Sequence, residues 1–261
     1  MAAARAEEIN ANLTKAAANL TEVRELLRLW HPDEESMASF RDRAVEQNLL
    51  GKTSRSRTAD VVQETFLRRY VPNGTHTLAE RLRRLVLSDL PRHVTDRILY
   101  YHAALAERLL YRVAAEVVYE QWQRGSVFVN RDDVLNLLDR IEEEGGPSYS
   151  ESVSAKVARS ALTALRDFGI LEGAVKKRIA PVRMPPEAAG YLVYSLKEEG
   201  LSANRIVTHD DWRLFLLTPT EAERAVVDAS GHGWFSYHAA GSVRRFDWSM
   251  QTVEEFVAHV A

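Results

Sequence analysis

Apolar residues recur every three or four positions along most of this chain, the spacing of helices that bury one face. Leu20, Val23, Leu26, Leu27 and Trp30 share such a face before His31-Pro32 ends it. A second helix, from about Glu35 to Asn48, buries Phe40, Ala44 and Val45. Ser54 or Ser56 caps a third, whose apolar side is Val61, Val62, Thr65, Phe66 and Leu67. Leu78 to Leu87 makes a short fourth. From Arg92 to Arg124 the pattern runs on through Val94, Ile98, Tyr101, Leu105, Leu109, Val113 and Val117, which predicts one central helix of roughly 45 Å. Leu110, Tyr111 and Val118 widen its stripe beyond a coiled-coil seam.

The pattern then changes. SVFVN reads as a short strand, and Asn130 caps a helix from Arg131 to Glu144 with Val134, Leu137, Leu138 and Ile141 inward. Gly145, Gly146 and Pro147 break it, and Ser148 and Glu151 have the spacing of a capping box for the next helix. On that helix Val153, Val157, Ala161, Ala164, Leu165 and Phe168 lie on one side. Strands near GILEGAV and RIAPVRM follow, joined by a basic turn, which is the order of a winged helix-turn-helix. Beyond Pro185-Pro186 come a helix near Glu187 to Glu199, the segment DDWRLFLLT, a helix opened by Pro219, and a hairpin of WFSYH and VRRFDW joined by Ala239 to Ser242. TVEEFVAHV closes the chain as a helix. The expected fold is therefore mainly α. Residues 1–125 form a helical region, 126–183 a winged helix-turn-helix, and 184–261 a small α+β unit packed on the rest.

Composition narrows the chemistry. The 46% hydrophobic and 27% charged content over 261 residues describes a globular protein. No apolar run approaches the ~18 residues of a membrane span, and MAAARAEEIN carries acids where a secretory leader would be apolar, so a cytoplasmic location is expected. The absence of cysteine excludes disulfides, thiolate nucleophiles and cysteine-held metals. Of the eight histidines, His232 and His238 are the closest pair, but they flank a strand with no carboxylate placed to complete a metal site. Gly51-Lys52-Thr53 imitates the end of a P-loop, yet Glu46 stands where the earlier glycine is required. No G-x-S-x-G, H-E-x-x-H or G-x-G-x-x-G occurs, and Asp132-Asp133 and Glu142 to Glu144 read as solvated helix ends. Nothing points to an enzyme, a cofactor or a metal.

Charge is where the chain becomes specific. The net charge is −3, yet counting Lys and Arg against Asp and Glu gives +6 for residues 52–112 and +4 for 151–183. In the second island Lys156, Arg159, Ser160, Thr163 and Arg166 occupy the polar face of one helix, and Lys176, Lys177, Arg178 and Arg183 follow in the turn and beyond. Such a set can reach phosphates, and Arg, Ser and Thr can also meet base edges. The first island contains Lys52, Arg55, Arg57, Arg68, Arg69, Arg81, Arg83 and Arg84, with Arg55 and Arg57 beside hydroxyls at a helix N-terminus that already favours anions. The competing reading is internal pairing, since the segment before the second island is acidic.

Three stretches together resemble the BrxA family, a small component of bacterial BREX phage-defence systems. They are NLTEVRELLRLW with AVEQNLLGKTSRSRTADVVQETFLRRYV, then KVARSALTALRDFGILEG, and last DDWRLFLLTPTEAERAV with the late hairpin and DWSMQTVEEFV. The resemblance implies a small, non-enzymatic, largely helical protein that binds double-stranded DNA and serves a system of host DNA methylation and phage exclusion. Other BREX components are its further candidate partners, and no membrane is expected. A protein-interaction scaffold whose winged helix docks a partner, and a transcriptional regulator, are the alternatives.

Overall fold

The computed structural model describes residues 5–6, 8–14 and 18–261. Helix α1 (Leu20–Leu29) buries Val23, Leu26 and Leu27 against α4 (Thr77–Leu87). Its Arg24 is buried too, donating to Thr95 Oγ1 at 2.8 Å and to the Arg92 carbonyl at 2.9 Å, with Asp96 as its counter-ion. Helix α2 (Met37–Glu46) turns through an Asn48 in the left-handed region into α3. That helix begins as Arg55–Asp60, passes through a π-helical stretch at Val61–Leu67 and ends at Arg68–Tyr70. Ser54 caps it, accepting from the Arg57 amide at 3.2 Å.

The long helix expected from Arg92 to Arg124 is two helices. α5 (Arg92–Ala106) stops at Glu107, where φ is −123° and ψ is 89°, and α6 resumes as Arg108–Arg112, a π-helical Val113–Val118 and Tyr119–Gln123. No proline causes the break. The Leu105 carbonyl, which a continuous helix would offer four residues onward, accepts from the Ala6 amide at 2.8 Å. Chain from the far N-terminal side thus takes an acceptor from the helix, and apolar periodicity carries no trace of such an insertion.

After α6 the chain forms β1 (Phe128–Val129), α7 (Arg131–Glu143), α8 (Glu151–Asp167), β2 (Leu171–Glu172) and β3 (Lys177–Ile179). The three strands pair antiparallel in the order β1-β3-β2. Helix α7 buries Val134, Leu137, Leu138 and Ile141, the residues its periodicity names. Helix α8 buries Val157, Ala161, Ala164 and Leu165, with Ala158 and Leu162 alongside. Val153, expected inside, is 36% exposed. The capping box expected of Ser148 and Glu151 does not form: Ser150 is the N-cap and Glu151 the first helical residue.

Helix α9 (Pro186–Glu198) is buried on nearly every side, packed by α5, α11 and α12. Gly190 lets it come that close, since a Cβ there would sit 2.9 Å from the Phe256 ring and 3.0 Å from Trp234. Then come α10 (Ala203–Val207), a 3-10 turn at Asp210–Phe215, α11 (Pro219–Ser230), the hairpin of β4 (Phe235–Ala240) and β5 (Val243–Trp248), and α12 (Val253–Val260). Phe235, Tyr237, Phe246 and Trp248 form the aromatic face of the hairpin. The fold is mainly α, and one hydrophobic cluster extends from Leu13 to Val257. Among the described residues no helix is long and apolar enough to cross a membrane.

Two expectations test this core. Leu165 is 0% exposed, so Leu165→Asp places an unpaired charge in it and costs upward of about 3 kcal/mol, read as a collapse of the thermal melting temperature. His102 is buried with Nε2 at 2.6 Å from the Tyr191 hydroxyl. Burial, reinforced by the Arg81 guanidinium, pushes its pKa down to about 3 from 6.5. The unfolded chain binds this proton at the higher value, so stability present above it is lost as pH falls, by about 1 kcal/mol between pH 6.5 and 5.5. Urea unfolding should show that loss, and His102→Gln should remove it; an equal loss in the variant would assign the dependence to another group.

Candidate nucleic-acid interface

Helix α8 has a buried side fixed by alanines and leucines, so its other side is set to face away from the core. Lys156 and Arg159 are exposed there, while Thr163 and Arg166 are half-buried. The β2–β3 turn folds over the same side, and the start of α7 closes it from below. Together these elements enclose a groove of about 400 Å³, whose lining includes Asn130, Arg131, Arg159, Arg166, Lys176 and Val175. Lys177 also borders it, and no carboxylate does.

The expected site residues divide by what their charges do within the fold. Lys156, Arg159, Lys176 and Arg183 are exposed and form no ion pair among the described residues. Arg166 donates to its neighbour Asp167 at 2.9 Å through Nε. Arg178 stands opposite Glu172 across the two strands and is paired with it. Lys177 is 8% exposed, and its Nζ donates to the carbonyls of Gly173 at 2.9 Å and Ala174 at 2.8 Å. Burial, with Arg166 nearby, draws its pKa below the usual lysine value. The ammonium of Lys177, expected at a phosphate, is turned into its own loop. None of these cations pairs with an acid of α7 among the described residues, and Asp132 meets Arg131 at 3.7 Å. Asp133 instead accepts from the Asn130 amide at 2.7 Å and from Gln121 at 3.1 Å, and Glu144 is held by Arg112 at 2.6 Å.

The first island is less uniform. Asn48 staples the loop before α3, donating to the Lys52 carbonyl at 2.8 Å and accepting from the Thr58 hydroxyl. This loop presents Arg55 and Arg57, both exposed and without ion pairs among the described residues. Lys52 is taken by Glu22, and Arg68 by Glu64 one turn back at 2.6 Å. Arg69 is only 1% exposed and pairs with Glu107 at 3.3 Å, so it supports the break between α5 and α6 and has no route to a ligand at the surface. Arg81 is likewise buried, with Glu254 as its partner. None of these residues lines the groove.

Arg131 and Asn130 are groove residues that the reading of charge islands missed. Arg131 lies in a segment of net charge −5 between residues 113 and 150, so a regional sum hides it. Its position as the first residue after a helix cap was the available signal. The two histidines singled out in the sequence do not converge: His232 stacks on Trp234 at 4.7 Å, and His238 meets Asp247 across the hairpin at 3.2 Å. No cluster of three or more metal-ligating side chains occurs among the described residues.

The sequence model of the BrxA family matches residues 7–195. The chain belongs to the BrxA family. Membership associates it with BREX phage defence. The match takes in the first two stretches that carry the resemblance, whereas the third lies beyond residue 195. An uncharacterized protein from Magnetospirillum magneticum has a similar fold in its crystal structure, with a TM-score of 0.60 and 18% identity over 80% of this chain and 100% of that one. Comparison with curated proteins gives no match.

Removing Arg69 should expose the difference between the two kinds of cation. Arg69→Ala strands Glu107 in the interior and is expected to cost about 3 kcal/mol. Arg57→Ala, on an exposed side chain, should stay within about 0.5 kcal/mol. Chemical denaturation of the two variants checks this.

Proposed function

We propose that this BrxA-family chain is a non-enzymatic accessory protein of a BREX-type phage-exclusion system that binds double-stranded DNA, with residues 126–183 acting as a winged helix. The observation that carries the reading is the groove beside α8, whose lining holds five cationic side chains and no carboxylate on a chain of negative net charge, with Arg131 and Arg166 also pairing with their neighbours Asp132 and Asp167. A local positive field of that kind attracts a polyanion without coating the whole protein in charge. Lys156, Arg159, Lys176 and Arg183 contact phosphates, and Arg131 and Arg166 border the groove. Arg55 and Arg57 offer a second phosphate contact outside it.

The scaffold alternative has its own support. β1 lies at the sheet edge, and Trp122, Val127 and Phe128 beside it are exposed apolar side chains that could receive a partner protein. Salt separates the two readings. Phosphate binding weakens steeply as salt rises, with a log–log slope of about −0.9 per contact on duplex DNA, whereas apolar docking does not.

The test is a salt series of duplex binding. Lys156→Ala with Arg159→Ala should flatten the slope by about 1.8, about 0.9 for each lost contact, with similar weakening on unrelated duplexes and an unchanged melting temperature. A wild-type slope in that double variant would remove α8 from the interface. Weakening confined to one duplex would instead favour an operator-reading regulator.

A further inference from the structure

The turn between β2 and β3 is built more tightly than a solvated basic loop requires. Gly173 has φ +91°, and a Cβ on it would lie 2.2 Å from the Lys176 carbonyl oxygen, so no other residue fits without opening the turn. Lys177, the first residue of β3, turns inward and uses two of its three N–H donors on the carbonyls of Gly173 and Ala174. Those two carbonyls are thereby fixed toward the lysine. Lys176 next to it is exposed and forms no ion pair among the described residues. At the tip stands Val175, 94% exposed and the most exposed large apolar side chain among the described residues. A single exposed valine is unremarkable by itself. This one lines the cationic groove beside Arg159 and Lys176, on a turn clamped from within.

We infer that this turn is a pre-organised apolar prong: Lys177 is a positioning residue that holds it rigid, and Val175 makes a nonionic contact with the sugars and groove wall of duplex DNA. The inference rests on the DNA-binding reading above and deepens it, because it gives two adjacent lysines opposite roles. Lys176 neutralises a phosphate and releases counterions. Lys177 keeps its charge but releases no counterions, since its ammonium is held against the carbonyls of Gly173 and Ala174 and not against a phosphate. Its contribution is to spare the complex the cost of ordering the turn. A valine methyl group packed on deoxyribose contributes by removing apolar surface from water, which is insensitive to salt.

The decisive measurement is duplex affinity over a salt series for Lys176→Ala, Lys177→Met and Val175→Ser, together with amide hydrogen exchange of the free proteins. Lys176→Ala should flatten the log-affinity versus log-salt slope by about 0.9. Lys177→Met and Val175→Ser should each weaken binding about 3- to 10-fold at every salt concentration and keep the wild-type slope. Exchange of the amides of β2, β3 and their turn should quicken about tenfold in Lys177→Met and stay unchanged in Val175→Ser. A flattened slope in Lys177→Met would make that lysine a phosphate ligand and overturn the strut. Wild-type affinity in Val175→Ser, whose side chain is too exposed to affect folding, would overturn the contact. If the wild-type protein binds no duplex, the DNA reading fails and the contact with it. The exchange data then still decide the strut, and unchanged exchange in Lys177→Met overturns it.

Discussion

The carboxylate of Asp211 is the point on which the arrangement of the helices turns. It is fully buried and accepts two hydrogen bonds from Arg5, at 2.9 and 2.7 Å, one from the Tyr101 hydroxyl at 3.0 Å and one from the Tyr111 hydroxyl at 2.9 Å. Burial alone would raise its pKa, but the neighbouring His209 ring and the bonds from Arg5 outweigh burial and hold it well below the usual carboxylate range. Tyr101 lies in α5 and Tyr111 in α6, so one anion grips both sides of the break at Glu107. Arg5 brings with it Ala6, whose amide occupies the carbonyl that the break leaves open. The direction of α6, and with it the position of β1 and the groove beyond, follows from this cluster. A buried charge left with fewer donors would cost several kcal/mol, so these contacts act as one unit.

Much of this was legible from periodicity, and the exceptions share a cause. The inward faces of α1, α7 and α8 are read correctly because each buries a stripe against neighbours, and the stripe is written in the sequence. The single helix over Arg92 to Arg124 is not, because both halves keep the same apolar spacing through a break made by residues about a hundred positions away. The π-helical stretches at Val61–Leu67 and Val113–Val118 escape for the same reason: one extra residue per turn shifts a face without erasing it. Val153 fails differently, lying in the first turn of α8, ahead of Val157, the first residue that the helix buries.

The candidate site shows the limit of counting charge. Sequence reveals where cations cluster but not which carry a partner inside the fold. Arg69 and Lys177 look like members of their islands and are structural, one bound to Glu107 and the other to its own turn. Arg131, diluted by acids along the chain, is brought into the groove by the helix it begins. The side chains that remain free, such as Lys156, Arg159 and Lys176, are a subset that only three-dimensional pairing could select.

The bond between Arg5 and Asp211 spans 206 positions of sequence. On the ribosome, where the chain is made from its N-terminal side, the anion that fixes the corner between α5 and α6 is thus added about two hundred residues after Arg5. Until then Arg5 lacks this partner, and the tyrosines on either side of the corner have nothing to converge on. Local helices such as α1 and α2 can form during synthesis, but the corner closes only once Asp211 has been added. Arg5 therefore finds its place only after the helices that follow it have been made.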